Sequence, residues 1–241
     1  MSFPAPPTGL CERWNALRAR LERAASRAGR PPPRLVAVTK SVAPEVAADL
    51  ARLGQIDLGE SRVQSLEIRQ AAFAREGLDV RWHLLGHLQR NKARRAATLC
   101  HSVHSLDSRD LLDSLSRHVL ELNASPELYV EVDYVGGGAR TGLTEDRVPE
   151  FVEAMGRAPH LRLCGLMTIA PVPEFDGDTR RARAVFARLR ELSRRLPAEA
   201  FCDGKPRLSM GMSSDFEIAI EEGSDCVRIG SALFHSEESR P

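Results

Sequence analysis

The sequence predicts a single α/β barrel of the (β/α)8, or TIM, type with an extra N-terminal helix, and three observations support this fold class. The chain has 241 residues, of which 42% are hydrophobic and 28% charged, which is typical of one globular barrel domain. Eight short apolar runs alternate with amphipathic helical patterns, which indicates parallel strands joined by crossover helices. No linker or low-complexity stretch divides the chain.

The predicted elements follow one another in a regular order. An Arg- and Glu-rich amphipathic pattern over 10–28 predicts a helix outside the barrel, which glycine and proline end at 29–33. Its apolar residues, three and four positions apart, are Leu10, Trp14, Leu17 and Leu21. Strands are predicted at 34–40, 55–59, 81–86, 101–105, 127–134, 161–167, 206–210 and 225–230. Helices are predicted between them at 44–53, 61–76, 89–99, 108–122, 144–156, 176–196 and 213–222.

Three regions are expected from this order. They are an N-terminal segment with the outer helix over 1–33, the barrel over 34–235, and a C-terminal tail over 236–241. A doubly wound open sheet is the alternative architecture, and it normally carries a Gly-rich turn after its first strand. Here the first strand ends in Thr39, Lys40 and Ser41 without a glycine, which favours the barrel.

Charge and composition argue against several classes of protein. The net charge is +1, which argues against a nucleic-acid binder that relies on a strongly basic surface. No apolar run approaches the roughly 20 residues that span a bilayer, and the N-terminus lacks the features of a secretory signal. The five cysteines are scattered without a C-x-x-C pair, which indicates reduced thiols. We therefore expect a cytoplasmic protein with no nucleic-acid or membrane partner.

Only three of the 34 basic residues are lysines, and their positions rank them as candidate amine nucleophiles. Lys40 ends the first predicted strand on the same face as Val36 and Val38, so it is expected at the barrel mouth over an apolar floor. Lys92 is expected in the first turn of a helix, and Lys205 precedes the seventh strand at the opposite end. The alternative for Lys40 is an exposed loop lysine without a chemical role.

Two loops after the last strands have the composition of an anion site. The seventh strand leads into SMGMSSDFE at 209–217, where Ser214 and Glu217 also fit a plain capping box, and the eighth ends with RIGS at 228–231. Loops after strands seven and eight are where such barrels bind phosphate. An amine nucleophile facing a phosphate site suggests either a pyridoxal-phosphate protein or a Schiff-base aldolase acting on sugar phosphates.

Five segments form a more specific pattern. They are VAVTK at 36–40, WHLLGHLQRNK at 82–92, GLM at 165–167, LSMGMS at 208–213 and VRIGS at 227–231. In these segments the chain resembles the YggS/PROSC family of pyridoxal 5′-phosphate (PLP)-binding proteins of vitamin B6 homeostasis. The resemblance runs from about residue 34 to residue 234. It implies the fold of the N-terminal domain of bacterial alanine racemase, without that enzyme's β-rich second domain.

The resemblance also implies roles for individual residues. Lys40 is expected to be the Schiff-base lysine, Arg228 to face the pyridine nitrogen, and Met167 to pack beneath the cofactor ring. A guanidinium beside that nitrogen disfavours pyridinium and makes the ring a weaker electron sink. Ser213 and Ser214, with the backbone of their turn, are expected to bind the phosphate together with the eighth-strand loop. The complete expected set is Lys40, Ser61, His83, Met167, Ser209, Met210, Gly211, Met212, Ser213, Ser214, Arg228, Gly230 and Ser231.

Some positions depart from the family pattern or admit a simpler explanation. Ser61 and Arg62 stand where the family usually has asparagine and tyrosine, and Arg140 stands where it usually has lysine. His83 and His87 lack the spacing of a helical metal site, so no metal is predicted and His83 is expected to line the mouth. His101 and His104, on opposite faces of a strand, are expected to have structural roles.

These observations leave three hypotheses for function. The leading one is a monomeric protein that holds PLP on Lys40 and delivers it, with PLP-dependent apo-enzymes as recipients. The second is a PLP-dependent amino-acid racemase or related enzyme. Racemases of this fold take a catalytic tyrosine from their second domain, whereas the tyrosines here are Tyr129 and Tyr134. The third is the sugar-phosphate aldolase.

Overall fold

All eight predicted strands are present, and they close into one parallel barrel. The computed structural model describes residues 9–136, 141–171 and 179–235. Strands pair in chain order from the first to the eighth, and the eighth pairs with the first, which confirms the predicted (β/α)8 fold. The strands are β1 (Arg34–Val38), β2 (Asp57–Glu60), β3 (Arg81–Leu84), β4 (Ser102–Leu106), β5 (Glu127–Glu131), β6 (Arg162–Met167), β7 (Arg207–Ser209) and β8 (Cys226–Ile229).

Helices follow the strands as predicted, with one addition. They are α1 (Leu10–Arg27), α2 (Pro44–Arg52), α3 (Val63–Arg75), α4 (Ala93–Leu99), α5 (Arg109–Leu122), α6 (Val148–Gly156), α7 (Arg180–Arg195), α8 (Phe216–Glu221) and α9 (Ser231–Phe234). The sequence predicted no helix after the eighth strand. Helix α9 has four residues, which is too short to show the apolar period of a helix, and its Leu233 is fully buried.

Helix α1 packs outside the barrel, as its apolar spacing predicts. Leu10, Leu17 and Leu21 are buried, and the helix lies against α8 and α9. Polar contacts from the arginines of α1 help to fix this position. Arg20 pairs with Glu217 of α8 at 3.1 Å, and Arg13 Nε donates to the carbonyl of Leu233 at 2.8 Å.

Much of the barrel interior is polar. Outward-pointing strand residues such as Ala37, Leu58 and Leu84 join the main hydrophobic core under the helices. Buried polar side chains of the strands, by contrast, include Asp57, His83, Ser102, His104, Ser209 and Arg228. A barrel of this type usually fills its interior with Val, Ile and Leu. Buried polar groups are costly unless each finds a hydrogen-bond partner, so this interior depends on a connected network.

An ion cluster occupies the amino-terminal end of the interior. The carboxylate of Glu127 accepts hydrogen bonds from Arg34 and Arg207, both at 3.0 Å. Burial opposes ionisation of Glu127, but the two guanidinium groups outweigh it and lower the pKa of this carboxyl group. Because these ion pairs fill the amino-terminal end of the barrel, a ligand site is expected at the carboxyl-terminal ends of the strands.

Some predicted features lie outside the described residues. They are Arg140, the first eight residues, the start of the helix predicted at 176–196, and the tail at 236–241. The division into three regions stays a prediction. Within the described helices, none combines the length and the apolar character needed to cross a membrane.

Candidate functional site

Lys40 lies at the barrel mouth, but not on the strand. Strand β1 ends at Val38, two residues earlier than predicted, and Lys40 is an exposed residue of the following turn. Because Thr39 donates its amide to the carbonyl of Gly59, the last backbone bond to β2 precedes the lysine. Its side chain makes no hydrogen bond or ion pair with the described part of the chain. The amine is therefore open to a ligand.

A buried ion pair fixes the turn that carries Lys40. Arg69 of α3 and Glu60 of β2 are both buried, with Arg69 Nε 2.7 Å from Glu60 Oε1. Arg69 Nη2 donates to the carbonyls of Thr39 and Val42, at 2.9 and 2.5 Å, and so holds both sides of Lys40. The hydroxyl of Thr39 donates to Glu60 at 2.6 Å. The backbone of the turn is fixed, whereas the lysine side chain is not.

The loop after β7 has the free amides that an anion requires. Gly211 has φ +100°, and a Cβ there would lie 2.6 Å from the Cβ of Ala219, so the close turn depends on glycine. The amide of Met212 donates to the buried carboxyl of Asp215 at 2.6 Å. Within the described chain, the amides of Ser213 and Ser214 have no hydrogen-bond partner. These two amides can bind an anion.

The predicted capping box is wrong. Helix α8 begins at Phe216, two residues after Ser214, and the Asp215 carboxyl bonds the turn instead. Glu217 turns outward to Arg20 of α1. Ser214 is thus left exposed beside the loop, which removes the simpler explanation for this segment.

The end of β8 meets this loop. The Ser213 hydroxyl accepts a hydrogen bond from the amide of Ala232 in α9, at 3.3 Å. A Cβ on Gly230 would lie 3.1 Å from the carbonyl oxygen of Val38, so glycine allows β8 to approach the end of β1 closely. Ser231 is exposed beside it. The two predicted loops and the end of β1 therefore lie together.

Arg228 is the buried cation of the site. Its guanidinium donates to the Ser209 hydroxyl at 2.7 Å and to the carbonyl of Thr168 at 2.8 Å. No carboxylate of the described residues lies within ion-pair distance of it. Burial lowers the pKa of the guanidinium, which still carries its charge at neutral pH. A buried cation held by neutral groups suits a neutral or anionic ligand atom rather than a second cation.

Three of the expected residues are buried rather than exposed at the mouth. His83 is fully buried inside the barrel and bonded to Asp57, so its predicted position at the mouth is wrong. Met210 packs in the core under the helices, and its amide donates to the carbonyl of Cys226. Ser209 is fully buried, with its hydroxyl bonded to Arg228. His83 and Ser209 point into the barrel interior, but the sequence pattern does not predict how deep their side chains lie.

Two more expected residues stay candidates. Met167 is buried at the end of β6 and packs against Tyr129 and Cys164 in a small interior cluster. Ser61 is half-buried after β2, with its carbonyl against Gly86, where a Cβ would lie 2.3 Å away. Both residues stay predictions as ligand contacts.

The two tyrosines are poorly placed to act as bases. Tyr129 is buried and stacked on His104, with ring centroids 4.4 Å apart. Tyr134 lies under the guanidinium of Arg188, 4.5 Å from its ring centroid. Burial raises the pKa of both phenols.

Glu131 is a functional candidate that sequence reasoning missed. It ends β5, is buried, and accepts a hydrogen bond from the Thr141 hydroxyl at 3.3 Å. Burial raises the pKa of its carboxyl group to about 7, with a further contribution from Asp107. An acidic residue at the end of a barrel strand was the available signal. Arg69 was missed for another reason: the sequence of a helix does not show that one of its arginines is buried against a strand.

The fold and the site together define a class: a (β/α)8 barrel with an open lysine at its mouth and, among the described residues, unbonded backbone amides in the loop after β7. The family model "Alanine racemase, N-terminal domain" matches residues 13–238. The "Pyridoxal phosphate homeostasis protein" of Aquifex aeolicus is 37% identical over 226 residues, which cover 93% of this chain and 96% of that protein. The protein of the same name from Pseudomonas aeruginosa is 37% identical, with 90% of each chain covered.

A solved structure agrees with these relatives. PipY of Synechococcus elongatus PCC7942, with PLP bound, has a TM-score of 0.79 and 33% identity, covering 93% of this chain and 99% of PipY. The chain belongs to the alanine racemase N-terminal domain family and, within it, to the pyridoxal phosphate homeostasis proteins.

Arg69→Leu tests the anchor of the Lys40 turn. It leaves Glu60 buried without its partner, so we expect the free energy of unfolding to fall by about 3 kcal/mol. Urea unfolding followed by circular dichroism measures this. The control is Arg157→Leu, which removes an exposed i,i+4 pair with Glu153 and should cost less than about 0.5 kcal/mol. Equal effects of the two substitutions would contradict the anchor.

Glu131 gives a pH dependence with a definite sign. Its folded-state pKa of about 7 lies above the ordinary 4.5, so between these pH values the folded state binds more protons and stability falls as pH rises. At pH 8 the full cost is present, about 3 kcal/mol at about 1.4 kcal/mol per pH unit. Glu131→Gln should therefore be more stable than wild type at pH 8 and nearly equal to it at pH 4.5, by urea unfolding. A difference independent of pH would contradict this.

Proposed function

We propose that the protein binds PLP at the barrel mouth through Lys40 and acts in intracellular PLP homeostasis, holding the cofactor and releasing it to acceptors. The observation that carries the proposal is the open Lys40 amine, on a fixed turn, at the same end as the free amides of Ser213 and Ser214. The similarity to relatives named for pyridoxal phosphate homeostasis, and to PipY with PLP bound, supports it.

Each group has a task that follows from its chemistry. The amides of Ser213 and Ser214, with the Ser231 hydroxyl and the close turn at Gly230, would hold the phosphate. Arg228 would face the ring nitrogen and keep it unprotonated, because two cations would otherwise meet. When bound, PLP supplies an aldehyde carbon that condenses with amines. Lys40 would be the resident amine.

The arrangement favours exchange of the cofactor over turnover of a substrate. Exchange requires that an incoming amine reach the site that Lys40 occupies, and Lys40 is exposed. A racemase also needs a base on each side of the substrate carbon. Tyr129 is buried against His104, and Tyr134 lies under Arg188, so neither tyrosine supplies the second base in the geometry described.

The remaining parts of the proposal concern its setting. We propose a monomer that works in the cytoplasm and passes PLP to PLP-dependent apo-enzymes. The cysteines, which are scattered along the sequence without a C-x-x-C pair, support the cytoplasm, and the exposed Lys40 supports transfer. The region over 34–235 would carry the whole site.

The test is the colour of the recombinant protein. Wild type should be yellow, or turn yellow with added PLP, because a Schiff base to a lysine absorbs visible light. Lys40→Ala should lose the visible band, since the amine is absent. Lys205→Ala is the control: Lys205 is exposed before β7, at the opposite end, and its loss should leave the band unchanged. A wild-type protein that stays colourless with excess PLP would contradict the proposal.

A further inference from the structure

A chain of hydrogen bonds crosses the barrel interior from Arg228 to Asp57. Arg228 Nη1 lies 2.7 Å from Ser209 Oγ, and Ser209 Oγ lies 2.9 Å from His104 Nδ1. His104 Nε2 lies 2.8 Å from Ser102 Oγ, which lies 2.6 Å from His83 Nδ1. His83 Nε2 ends the chain 2.9 Å from Asp57 Oδ1. Every member is buried.

The two ends fix the direction of every bond between them. A guanidinium only donates, and an ionised carboxylate only accepts. Ser209 therefore accepts from Arg228 and donates to Nδ1 of His104. With both rings neutral, His104 donates from Nε2 to Ser102, and Ser102 donates to Nδ1 of His83. His83 then donates from Nε2 to Asp57, so both histidines must carry their proton on Nε2.

Independent observations agree with this assignment. His83 Nδ1 and His104 Nε2 also lie 3.4 Å apart, and the assignment makes the first an acceptor and the second a donor. Burial lowers the pKa of His83 and His104 below the ordinary value, so both rings are neutral at pH 7. Tyr129 stacks on His104 and keeps its ring in the plane the chain needs.

Arg228 makes no hydrogen bond or ion pair with a carboxylate among the described residues. Cys226, Asp215 and Glu131 act on its charge only through space, and burial raises the pKa of all three groups. At Asp57, burial also opposes ionisation, but hydrogen bonds from His83 and Arg81 outweigh it and lower the pKa. The carboxylate that balances Arg228 through aligned bonds is therefore at the far end of the barrel.

We propose that His104, together with Ser102 and Ser209, is a positioning residue for Arg228: it links the guanidinium at the mouth to Asp57 and holds it in one orientation toward the cofactor ring. This rests on the proposed function for the identity of the ligand. The hydrogen bonds themselves join only protein groups and do not involve PLP. Cutting it at Ser102, three bonds from Arg228, should alter the cofactor site without touching it.

The first experiment uses the PLP-free full chain. Long-range 1H–15N correlation spectra of protein labelled with 15N-histidine distinguish the two neutral tautomers and the charged ring. We expect His83 and His104, assigned with His83→Asn and His104→Asn, to be neutral with the proton on Nε2 at pH 7. A proton on Nδ1 of either ring, or a charged ring at that pH, would overturn the proposal.

The second experiment measures PLP binding by visible absorbance. Ser102→Ala should weaken the affinity about fivefold, the usual worth of one neutral hydrogen bond, and shift the absorption maximum of the bound cofactor. Ser102→Thr, which keeps the hydroxyl, should restore both. Ser193→Ala, which removes a buried hydroxyl bonded to the Arg190 carbonyl on α7, should change neither.

The outcomes separate the two claims. A Ser102→Ala protein with wild-type affinity and spectrum would overturn the positioning role. A wild-type protein that binds no PLP would overturn the proposed function. The histidine tautomers found in the first experiment would still show whether the hydrogen bonds run from Arg228 to Asp57. If the Ser102→Ala protein fails to fold, the histidine tautomers in the wild-type spectra test the hydrogen-bond chain instead.

Discussion

The structure depends on how one buried cation is balanced. Arg228 sits inside the barrel without a hydrogen bond or ion pair to a carboxylate of the described residues, and a buried charge of this kind is costly unless its donors are satisfied. The Ser209 hydroxyl and the Thr168 carbonyl accept hydrogen bonds from the guanidinium. The chain of hydrogen bonds then links Arg228 to the carboxylate of Asp57. This requirement explains why much of the barrel interior is polar, where other barrels are filled with aliphatic side chains.

The same constraint divides the site into a fixed part and an open part. The interior, the Arg69–Glu60 anchor and the Asp215-bonded loop are held by buried polar contacts. Lys40 and Ser214 are exposed and have no partner in the described chain. A rigid floor under an unpartnered amine is suited to binding a reactive aldehyde and releasing it by exchange, because neither step requires the fold to move.

Much of this was predictable from the sequence, and the part that was not has one physical cause. Eight alternating elements and two small-residue loops are local signals, so the strands, the loops and Lys40 could be found along the chain. Contacts across the closed barrel depend on strand register, which is non-local. His104 bonds to Ser209, 105 residues away, and His83 of β3 bonds to Asp57 of the neighbouring β2. For that reason His83 was expected at the mouth, and His104 was given only a structural role.

The central claim is that one lysine of three carries the cofactor, and borohydride trapping tests it most directly. The full chain is incubated with PLP, reduced, and digested, and the modified lysine is located by mass spectrometry. The geometry predicts one pyridoxyl group on the peptide that contains Lys40. A label confined to Lys92 or Lys205, or no label on a folded protein, would contradict it.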